Sequence, residues 1–444
     1  MKKKFLQFAA VALAMLACAA CSDKENELVP AEKAADMVVY GTIYTVEDNA
    51  PQAEAFAVKD GKYIYVGDAA GAKAYIGENT SVIDHRGKGM ITPGFADCHA
   101  HYLMAEAMNS MGALQFEMTI VPQQLLVNVA LEYQKAKAEG KPGIYGYGWT
   151  YQVFDMLGMP TIKDLDEVCP DIPLYLADGE AHKGLVNTAC LRKAGLLDAE
   201  GKVTKQIQGG EIEVDEDGFP TGLLLEQAGT YCKLRGIDFN VLLDEDKALE
   251  TVASTRDALI SKGYVAYQDG WSNYFGNLRF YDAAITLDKE GKLSLNLGMA
   301  YEIESSTEEL DKDLESAFAT AMYTTTHLNL HYIKFFIDGT VETETGYVQV
   351  PYLNPAKGQG IANWTPKEFE EITAQVNGNN YTMHVHAMGD LGINLAVNAF
   401  ATAGKKEMRN TLVHVRNVLA GDIAVHFVIC TDFYGYGDGD FFDL

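Results

Sequence analysis

Two histidines one residue apart, His99 and His101, close the stretch TPGFADCHAH at residues 92–101. Side chains alternate between faces along a β-strand, so both imidazoles point the same way if this stretch is a strand. Two imidazoles on one face can bind one divalent metal ion. The spacing is weak on its own, because a hydrogen-bonded histidine pair has the same pattern. The flanking Pro-Gly-Phe-x-Asp favours the metal site.

Further histidines occur near the ends of later predicted strands. His386 lies in HVHAMGD, where His384 shares its face, so spacing alone does not choose between the two. His414 lies in TLVHV. A lone strand histidine of this kind is more often a core residue with a satisfied side chain, so His414 gains weight only together with the others.

The elements that must position these side chains change character near residue 90. Residues 37–90 contain short β-rich segments, with a hairpin turn at Asp60-Gly61, and predict a small β-sandwich. From residue 91 to 430 strands alternate with helices, which implies a parallel sheet and, over this length, a (β/α) barrel. Residues 102–243 separate the first two barrel strands and are predicted to be a large insertion at the top of the barrel.

Individual elements have local markers. Asp244 predicts the start of a helix whose apolar period ends at Gly263, and Thr365 with Glu368 forms a capping-box sequence around a proline. A helix is predicted over 122–139 and a hairpin at Asp217-Gly218. Barrel strands are predicted at 90–101, 264–267, 293–300, 331–337, 381–386, 411–415 and 426–430.

The composition excludes some partners. The 444 residues include 35 basic and 62 acidic side chains, which gives a net charge of −27. Phosphate binding needs a basic stripe, so a nucleic-acid partner is not expected, and adsorption to anionic lipid through charge is disfavoured. Hydrophobic residues make up 48% of the chain, enough for a substantial core. Whether the chain forms a homo-oligomer is left open.

The first residues have the pattern of a targeting segment. Three lysines precede the apolar stretch 5–17, and Ala19-Ala20 stands directly before Cys21. This pattern predicts a bacterial lipoprotein signal over 1–21, cleaved before Cys21 and acylated there, and a tether over 22–36. The alternative is an ordinary secretory signal cut after Ala20. We therefore expect an exported protein of the cell envelope, held to the membrane only by its lipid. The other cysteines of the mature chain are predicted to be buried free thiols.

The motifs together resemble a known family. The stretch VIDHRGKGMITPGFADCHAH at 82–101 is similar to the amidohydrolase superfamily. HVHAMGD, the GYGW that ends at Trp149, and the stretches 178–195 and 209–228 resemble its amidohydrolase family 3 branch. That branch comprises YtcJ-like proteins and includes N-substituted formamide deformylases. The motifs occur in the family's order from about residue 37 to about 430.

The resemblance implies a fold and a metal. It implies a (β/α)8 TIM-like barrel beside a small β-sandwich, with one or two divalent ions, commonly zinc. His99 and His101 match the histidines of the first strand, His386 that of the fifth, and His414 that of the sixth. Each is implied to be a metal ligand.

The bridging ligand has two candidates. Lys334 lies in HYIKFFIDG on the predicted fourth strand, where several superfamily members carry a carboxylated lysine that bridges two metal ions. Its alternative role is to pair with Asp338 or another carboxylate. Glu226 in TGLLLEQ is the rival, as an acidic ligand or a substrate contact, and its alternative is a charge on a helix surface.

Two motif positions of the insertion are implied to contact substrate. His182 is expected to bind substrate or stabilise an oxyanion above the barrel mouth, where loops collect substrate contacts. Trp149 is a second candidate substrate contact, with packed core as its alternative.

The C-terminal tail departs from the family pattern. The family has an eighth strand with an aspartate that moves the proton, but residues 431–444, TDFYGYGDGDFFDL, show no apolar strand around their aspartates. The last strand is expected to be missing, as in a truncated or frame-shifted product. The alternative is that Asp432 takes an unusual role in its place. The expected activity is metal-dependent hydrolysis, through an activated hydroxide, of a carbon–nitrogen amide-type bond in a small molecule. The alternative is a catalytically impaired lipoprotein that binds a metal or ligand.

Overall fold

A computed structural model describes residues 33–304, 310–320, 322–416 and residue 419. The chain divides into two compact units, one that ends at Gly94 and one that begins at Phe95. Among the described residues, no helix combines the length and the apolar composition needed to cross a bilayer. Cys21 and the predicted signal segment lie outside the described residues, as do the seventh predicted barrel strand and the tail 431–444.

Within residues 33–94, the described part of the first unit, the strands form one five-stranded sheet. Its strands are β1 (Met37–Tyr44), β2 (Gln52–Lys59), β3 (Lys62–Gly67), β4 (Ser81–Asp84) and β5 (Met90–Ile91), with helix α1 (Ala69–Ala72) and a 3-10 turn (Lys73–Tyr75). The order is β3-β2-β1-β4, and β5 also pairs with β1. The Asp60-Gly61 turn is confirmed, with both residues at positive φ as a tight hairpin requires. The sequence predicted a sandwich, but the described residues of this unit form a single sheet.

The described residues of the second unit form two six-stranded sheets. In chain order its strands are β6 (Phe95–Ala100), β7 (Leu114–Gln115), β8 (Ile144–Trp149), β9 (Leu174–Asp178), β10 (Lys183–Val186), β11 (Gly210–Val214), β12 (Pro220–Glu226), β13 (Tyr264–Asp269), β14 (Asn296–Glu302), β15 (Leu328–Phe336), β16 (Thr382–Ala387) and β17 (Thr411–His414).

Helices connect these strands. They are α2 (Tyr102–Ser110), α3 (Pro122–Glu139), α4 (Tyr151–Leu157), α5 (Ile162–Val168), α6 (Thr188–Lys193), α7 (Gln227–Gly236), α8 (Phe239–Leu242), α9 (Glu245–Ser261), α10 (Arg279–Lys289), α11 (Leu310–Thr320), α12 (Pro366–Gly378) and α13 (Asp390–Ala403), with a 3-10 turn at Lys406–Met408. The predicted helix over 122–139 is confirmed with its bounds. Asp244 and Thr365 cap α9 and α12 as predicted.

The barrel sheet is fully parallel, in the order β17-β16-β15-β14-β13-β6. Helices alternate with its strands, and this confirms a TIM-like (β/α) barrel, of which six strands are described. The predicted strand over 90–101 is divided: Met90–Ile91 pairs with β1 in the first unit, and only Phe95–Ala100 belongs to the barrel. Pro93 and Gly94 separate the two pieces, because a proline offers no N–H to a sheet.

The insertion between β6 and β13 forms the other sheet, in the order β11-β12-β10-β9-β8-β7. The predicted hairpin at Asp217-Gly218 joins β11 to β12. Three cysteines of the described chain, Cys169, Cys190 and Cys232, are buried free thiols, as predicted. Cys98 is instead disulfide-bonded, which the scattered cysteine pattern did not predict because bridging depends on distance in space.

Candidate active site

Four of the predicted ligands converge at the carboxyl edge of the barrel sheet. His99 and His386 each lie one residue before the end of their strands, β6 and β16. His414 ends β17, and His101 is the N-cap of α2. Parallel strands bring their carboxyl ends to the same edge. The ring centroids of His99 and His101 lie 4.9 Å apart, those of His99 and His414 5.2 Å apart, and those of His386 and His414 4.6 Å apart.

A fifth imidazole, that of His384, belongs to the same cluster. Its Nε2 lies 2.7 Å from Nδ1 of His99, which is a hydrogen bond between rings 285 residues apart in sequence. The other ring of this strand, His386, has its Nε2 3.1 Å from the backbone oxygen of Gly339. The motif favoured His386 over His384, but the structure brings both rings to the cluster. The two-residue alternation along the strand puts His384 and His386 on one face, and this pattern could have identified both as residues of the cluster.

The backbone directly after β13 approaches the cluster closely. A Cβ atom on Gly270 would lie 2.3 Å from Cε1 of His99, so a larger residue there would displace the ring. The Gly270 N–H donates to the backbone oxygen of Ala100 at 2.9 Å, which holds this approach in place. Glycine at position 270 is therefore required by the packing of His99.

Lys334 of β15 lies among these imidazoles. It is 1% exposed, and its Nζ lies 4.6 Å from the ring centroid of Phe336. Burial lowers the pKa of His99, His101 and His384 well below the usual value, and the charge of Lys334 lowers it further. These neutral imidazoles have lone pairs that can bind a metal ion.

Asp338, the alternative partner of Lys334, is engaged by the backbone. Its carboxylate accepts N–H groups from Tyr347 at 2.8 Å, Met388 at 3.0 Å and Gly389 at 2.7 Å. Burial raises its pKa to about 7, in opposition to these hydrogen bonds. Asp338 thus fixes the loops that follow β15 and β16, the two strands that carry Lys334 and His386.

The insertion contributes a second cluster around His182. Its Nδ1 lies 2.7 Å from Oε2 of Glu226, and Oε1 of Glu226 accepts from the Thr345 hydroxyl at 2.6 Å. Burial lowers the pKa of His182, but the charge and hydrogen bond of Glu226 outweigh it and raise the pKa to about 9. The ring centroid of His182 lies 5.2 Å from that of His386, so the two clusters adjoin.

Glu226 is held in a strained backbone conformation. Its φ is 50°, in the left-handed region that disfavours residues other than glycine, and the N–H of Glu226 donates to the His182 oxygen at 2.8 Å. A Cβ on Gly339 would lie 2.3 Å from Oε1 of Glu226, so the opposite wall must also be glycine. Glu226 is 8% exposed, which excludes the alternative of a helix-surface charge.

The two clusters line one cavity. From the barrel its walls include His101, Lys334, His386 and His414, and from the insertion His182 and Glu226. Six further lining residues were not predicted to belong to the site: Glu180, Ala181, Gln227, Thr230, Trp271 and Phe336. The cavity leaves about 20 Å³ for the centres of water-sized molecules. One water needs roughly 10–15 Å³ of such space, so the cavity has room for an ion or a water beside a small polar group.

Trp149 does not belong to this cavity. Its side chain is fully buried in the core of the insertion, stacked on Phe154 at 5.1 Å between ring centroids. Its indole N–H donates to the backbone oxygen of Leu176 at 2.9 Å. The substrate role predicted for Trp149 is therefore wrong, and the alternative of packed core is confirmed. The GYGW motif around Trp149 forms strand β8 of the insertion. A recurring motif can reflect a packing requirement as well as a functional site.

The side chains are of the types that bind a divalent metal ion, although their spacing in the structure is not that of ligands around an ion. Among the described residues, no group of three or more His, Cys, Asp or Glu side chains has the spacing of a metal site. Two ligands of a tetrahedral zinc lie about 3.3 Å apart, whereas His99 and His384 approach to 2.7 Å. That hydrogen bond would open if both bound one ion. Imidazoles with a lysine-derived oxygen ligand fit zinc and similar ions by chemistry. The tail aspartates, Asp432, Asp438, Asp440 and Asp443, lie outside the described residues.

Comparison with known proteins assigns this arrangement to a family. The model described as "Amidohydrolase family" matches residues 81–423, and the chain belongs to that family. A crystal structure of an uncharacterized metal-dependent hydrolase from Pyrococcus horikoshii superposes with a TM-score of 0.60 at 21% identity, over 87% of this chain and 71% of that one. This similarity confirms the barrel fold.

Three relatives are similar over most of their length. The exoenzymes regulatory protein AepA of Pectobacterium carotovorum is 27% identical over 82% of this chain and 76% of its own. The putative amidohydrolase YtcJ of Bacillus subtilis is 25% identical, covering 87% and 72%. The N-substituted formamide deformylase of Arthrobacter pascens is 22% identical, covering 87% and 69%. Membership of the family supports a hydrolase, while these names differ too much to transfer a substrate.

Proposed function

We propose that this protein is a metal-dependent hydrolase that cleaves a carbon–nitrogen bond, other than a peptide bond, in a small molecule. The observation that carries the proposal is the convergence of five ligand candidates at one edge of the barrel: His99, His101, Lys334, His386 and His414. The names of the deformylase and the amidohydrolase among its relatives support the type of bond.

The barrel residues would hold one or two divalent ions, and zinc suits them. The four histidines would supply neutral nitrogen ligands, and Lys334 would bridge after its amine takes up carbon dioxide. Glu226, the rival bridge, is occupied by His182 and Thr345, which favours Lys334. A divalent ion there would lower the pKa of a water toward 7 and polarise the carbonyl of the substrate.

His182 would stabilise the oxyanion. Glu226 accepts a hydrogen bond from Nδ1, which fixes the ring and leaves Nε2 for the cavity that His182 lines. A donor held in place before the reaction needs no reorganisation when charge develops on the substrate oxygen. The Glu226–Thr345 hydrogen bond connects this donor to the loop after β15, so the insertion and the barrel position it together.

The cellular context stays a proposal from sequence. Export as a lipoprotein through Cys21 would place the site in the cell envelope, where the protein meets small-molecule amides. The acidic surface opposes a nucleic-acid partner. The lipid would then be the membrane attachment.

A substrate panel tests the function. Protein that begins at Ser22 is stripped with a chelator, reloaded with zinc, manganese or cobalt, and assayed on small amides, esters and amino-heterocycles. We expect amide turnover that the chelator removes, that metal restores, and that His99→Ala abolishes. Metal-loaded protein that hydrolyses no amide would contradict the proposal. It would favour the alternative, an impaired protein that binds a metal or ligand.

A further inference from the structure

The chain has three tryptophans, and one of them differs from the others. The indole N–H of Trp149 donates to Leu176 and that of Trp364 to Phe336, each to a backbone oxygen at 2.9 Å. The indole N–H of Trp271 is equally buried but has no hydrogen-bond partner among the described residues. Buried indoles usually find a partner, so the donor of Trp271 calls for a physical explanation.

The ring of Trp271 is held firmly. Tyr274 and Phe336 pack edge-on against it, with ring centroids 4.7 and 4.9 Å away, and the ammonium group of Lys233 lies 5.1 Å from its centroid. Lys233 is itself 2% exposed and lies 3.1 Å from the centroid of Tyr274. These contacts fix the direction of the indole N–H, so the donor is preorganised.

An acceptor lines the same cavity. Gln227, the first residue of α7, is 4% exposed, and its Oε1 has no hydrogen-bond partner among the described residues. Thr230, three positions later on the same helix face, also lines the cavity. The residues that line the cavity therefore include one neutral donor, of Trp271, and one neutral acceptor, of Gln227, that have no hydrogen-bond partner among the described residues. Buried polar groups left without partners oppose folding, which makes a role in binding the more economical explanation.

We propose that Trp271 and Gln227 form a recognition pair that binds the amide group of the substrate, an inference that rests on the proposed function. The indole N–H donates to the carbonyl oxygen of the amide, and Oε1 of Gln227 accepts from the amide N–H. The pair selects neutral substrates that carry both a C=O and an N–H: primary and secondary carboxamides, ureas and imides. Esters and fully N-substituted amides offer no N–H to Gln227, which then stays unsatisfied.

The size of the cavity agrees with this assignment. With about 20 Å³ for water-sized centres, it admits a small polar group beside the histidines, while the rest of a substrate stays outside. A site built to hydrogen-bond a substrate N–H rejects analogues that lack it, because the buried acceptor is left unpaired. Selectivity is therefore expected in the reacting group rather than in its distant substituents.

The test uses three matched probes: para-nitroacetanilide, its N-methyl derivative, and para-nitrophenyl acetate. We expect Gln227→Met to lower kcat/KM for the N–H anilide by about tenfold and to leave the other two within about twofold of wild type. Trp271→Phe keeps an aromatic ring but removes the donor, so kcat/KM should fall about tenfold for all three. Trp364→Phe removes an indole N–H outside the cavity and should leave the rates unchanged.

The outcomes separate this inference from the proposed function. Turnover with the same N–H preference in Gln227→Met and wild type would overturn the recognition pair and leave the hydrolase intact. If the metal-loaded wild type hydrolyses no amide, the proposed function fails. The recognition pair is then tested by amide binding instead of turnover. Zinc-loaded protein titrated with N-methylacetamide and N,N-dimethylacetamide by NMR should then prefer the former, and Gln227→Met should lose that preference. Equal affinity, or no binding of either amide, would overturn the pair.

Discussion

Two buried regions of the second unit treat their polar groups in opposite ways. In the core of the insertion, Asn187 accepts N–H groups from Leu174 and Cys190, both at 3.0 Å, and its Nδ2 donates to the oxygens of Cys169 and Ile172 at 2.7 and 2.8 Å. The indole of Trp149 is likewise bonded. At the barrel mouth, Trp271 and Gln227 keep polar atoms without hydrogen-bond partners among the described residues, and imidazoles bond to one another.

The difference indicates what each region contributes. A buried polar group that finds its backbone partner specifies a packing arrangement and stabilises it. A buried polar group left without a partner opposes folding, and where it belongs to a residue that lines a cavity a bound ligand can satisfy it. The strained φ of Glu226 follows the same logic, since such strain collects at sites and is offset elsewhere in the fold. Substitutions that remove a polar side chain from the insertion core should therefore lower stability, and those at the barrel mouth should lower activity.

The largest expected effect is loss of turnover in His386→Ala. Removing one predicted ligand should lower kcat/KM by about a thousandfold or more while the thermal midpoint changes little. The control is His331→Ala, because His331 lies on a barrel strand with its ring 5.0 Å from Tyr381. Steady-state kinetics on the best amide of the panel measures both. Equal rates in the two variants would break the assignment of the mouth as the active site.

The insertion core gives the opposite result in Asn187→Ala. This change leaves four backbone groups without their side-chain partner, so the free energy of unfolding should fall by about 3 kcal/mol. Metal content and kcat of the folded fraction should stay unchanged. Asn398→Ala, an exposed amide on α13, should stay within about 0.5 kcal/mol of wild type by urea denaturation. A stable Asn187→Ala protein with altered kinetics would contradict the comparison.

A smaller effect is expected where the two regions meet. Glu226→Gln keeps the shape but removes the charge beside His182, so kcat should fall about 10- to 100-fold without loss of metal. Glu213→Gln is the matched control, since Glu213 also accepts from a threonine hydroxyl, that of Thr221, away from the cavity. Loss of metal in Glu226→Gln would instead identify Glu226 as a ligand, and the bridging role of Lys334 would fall.

The smallest expected effect is that of a substitution at the start of α12, the helix that precedes β16. Thr365→Ala removes the capping box at the start of α12, where Thr365 accepts from Glu368 N–H at 3.3 Å and Glu368 accepts from Thr365 N–H at 2.8 Å. The free energy of unfolding should fall by about 1 kcal/mol, with unchanged kcat/KM, by denaturation and kinetics on the same preparation. A change in kcat/KM would show that the geometry of the active site depends on the stability of α12, and would contradict this prediction.

The sequence predicted the barrel and most of the cluster because its markers are local. Alternation placed His99 with His101, capping residues located α9 and α12, and the strand count assigned Lys334 to the fourth barrel strand. Motif similarity selected His386 and His414, which periodicity alone would have left as core residues.

The rest depends on contacts distant in sequence. The hydrogen bond from His384 to His99 spans 285 residues, and the partner of an indole N–H is a backbone oxygen chosen by tertiary packing. Nothing in the local sequence distinguishes Trp149, whose indole N–H is hydrogen-bonded, from Trp271, which lines the cavity and whose indole N–H has no partner among the described residues. The predicted strand at 426–430 and the tail stay predictions, because they lie outside the described residues.

The most direct test of the account is the metal content of purified protein that begins at Ser22, prepared without chelators and measured by elemental analysis. The account predicts one or two divalent ions per chain in the wild type and a loss of metal in the double variant His99→Ala His101→Ala. Folded wild-type protein that takes up no ion when zinc is supplied, or a double variant that keeps its metal, would contradict it.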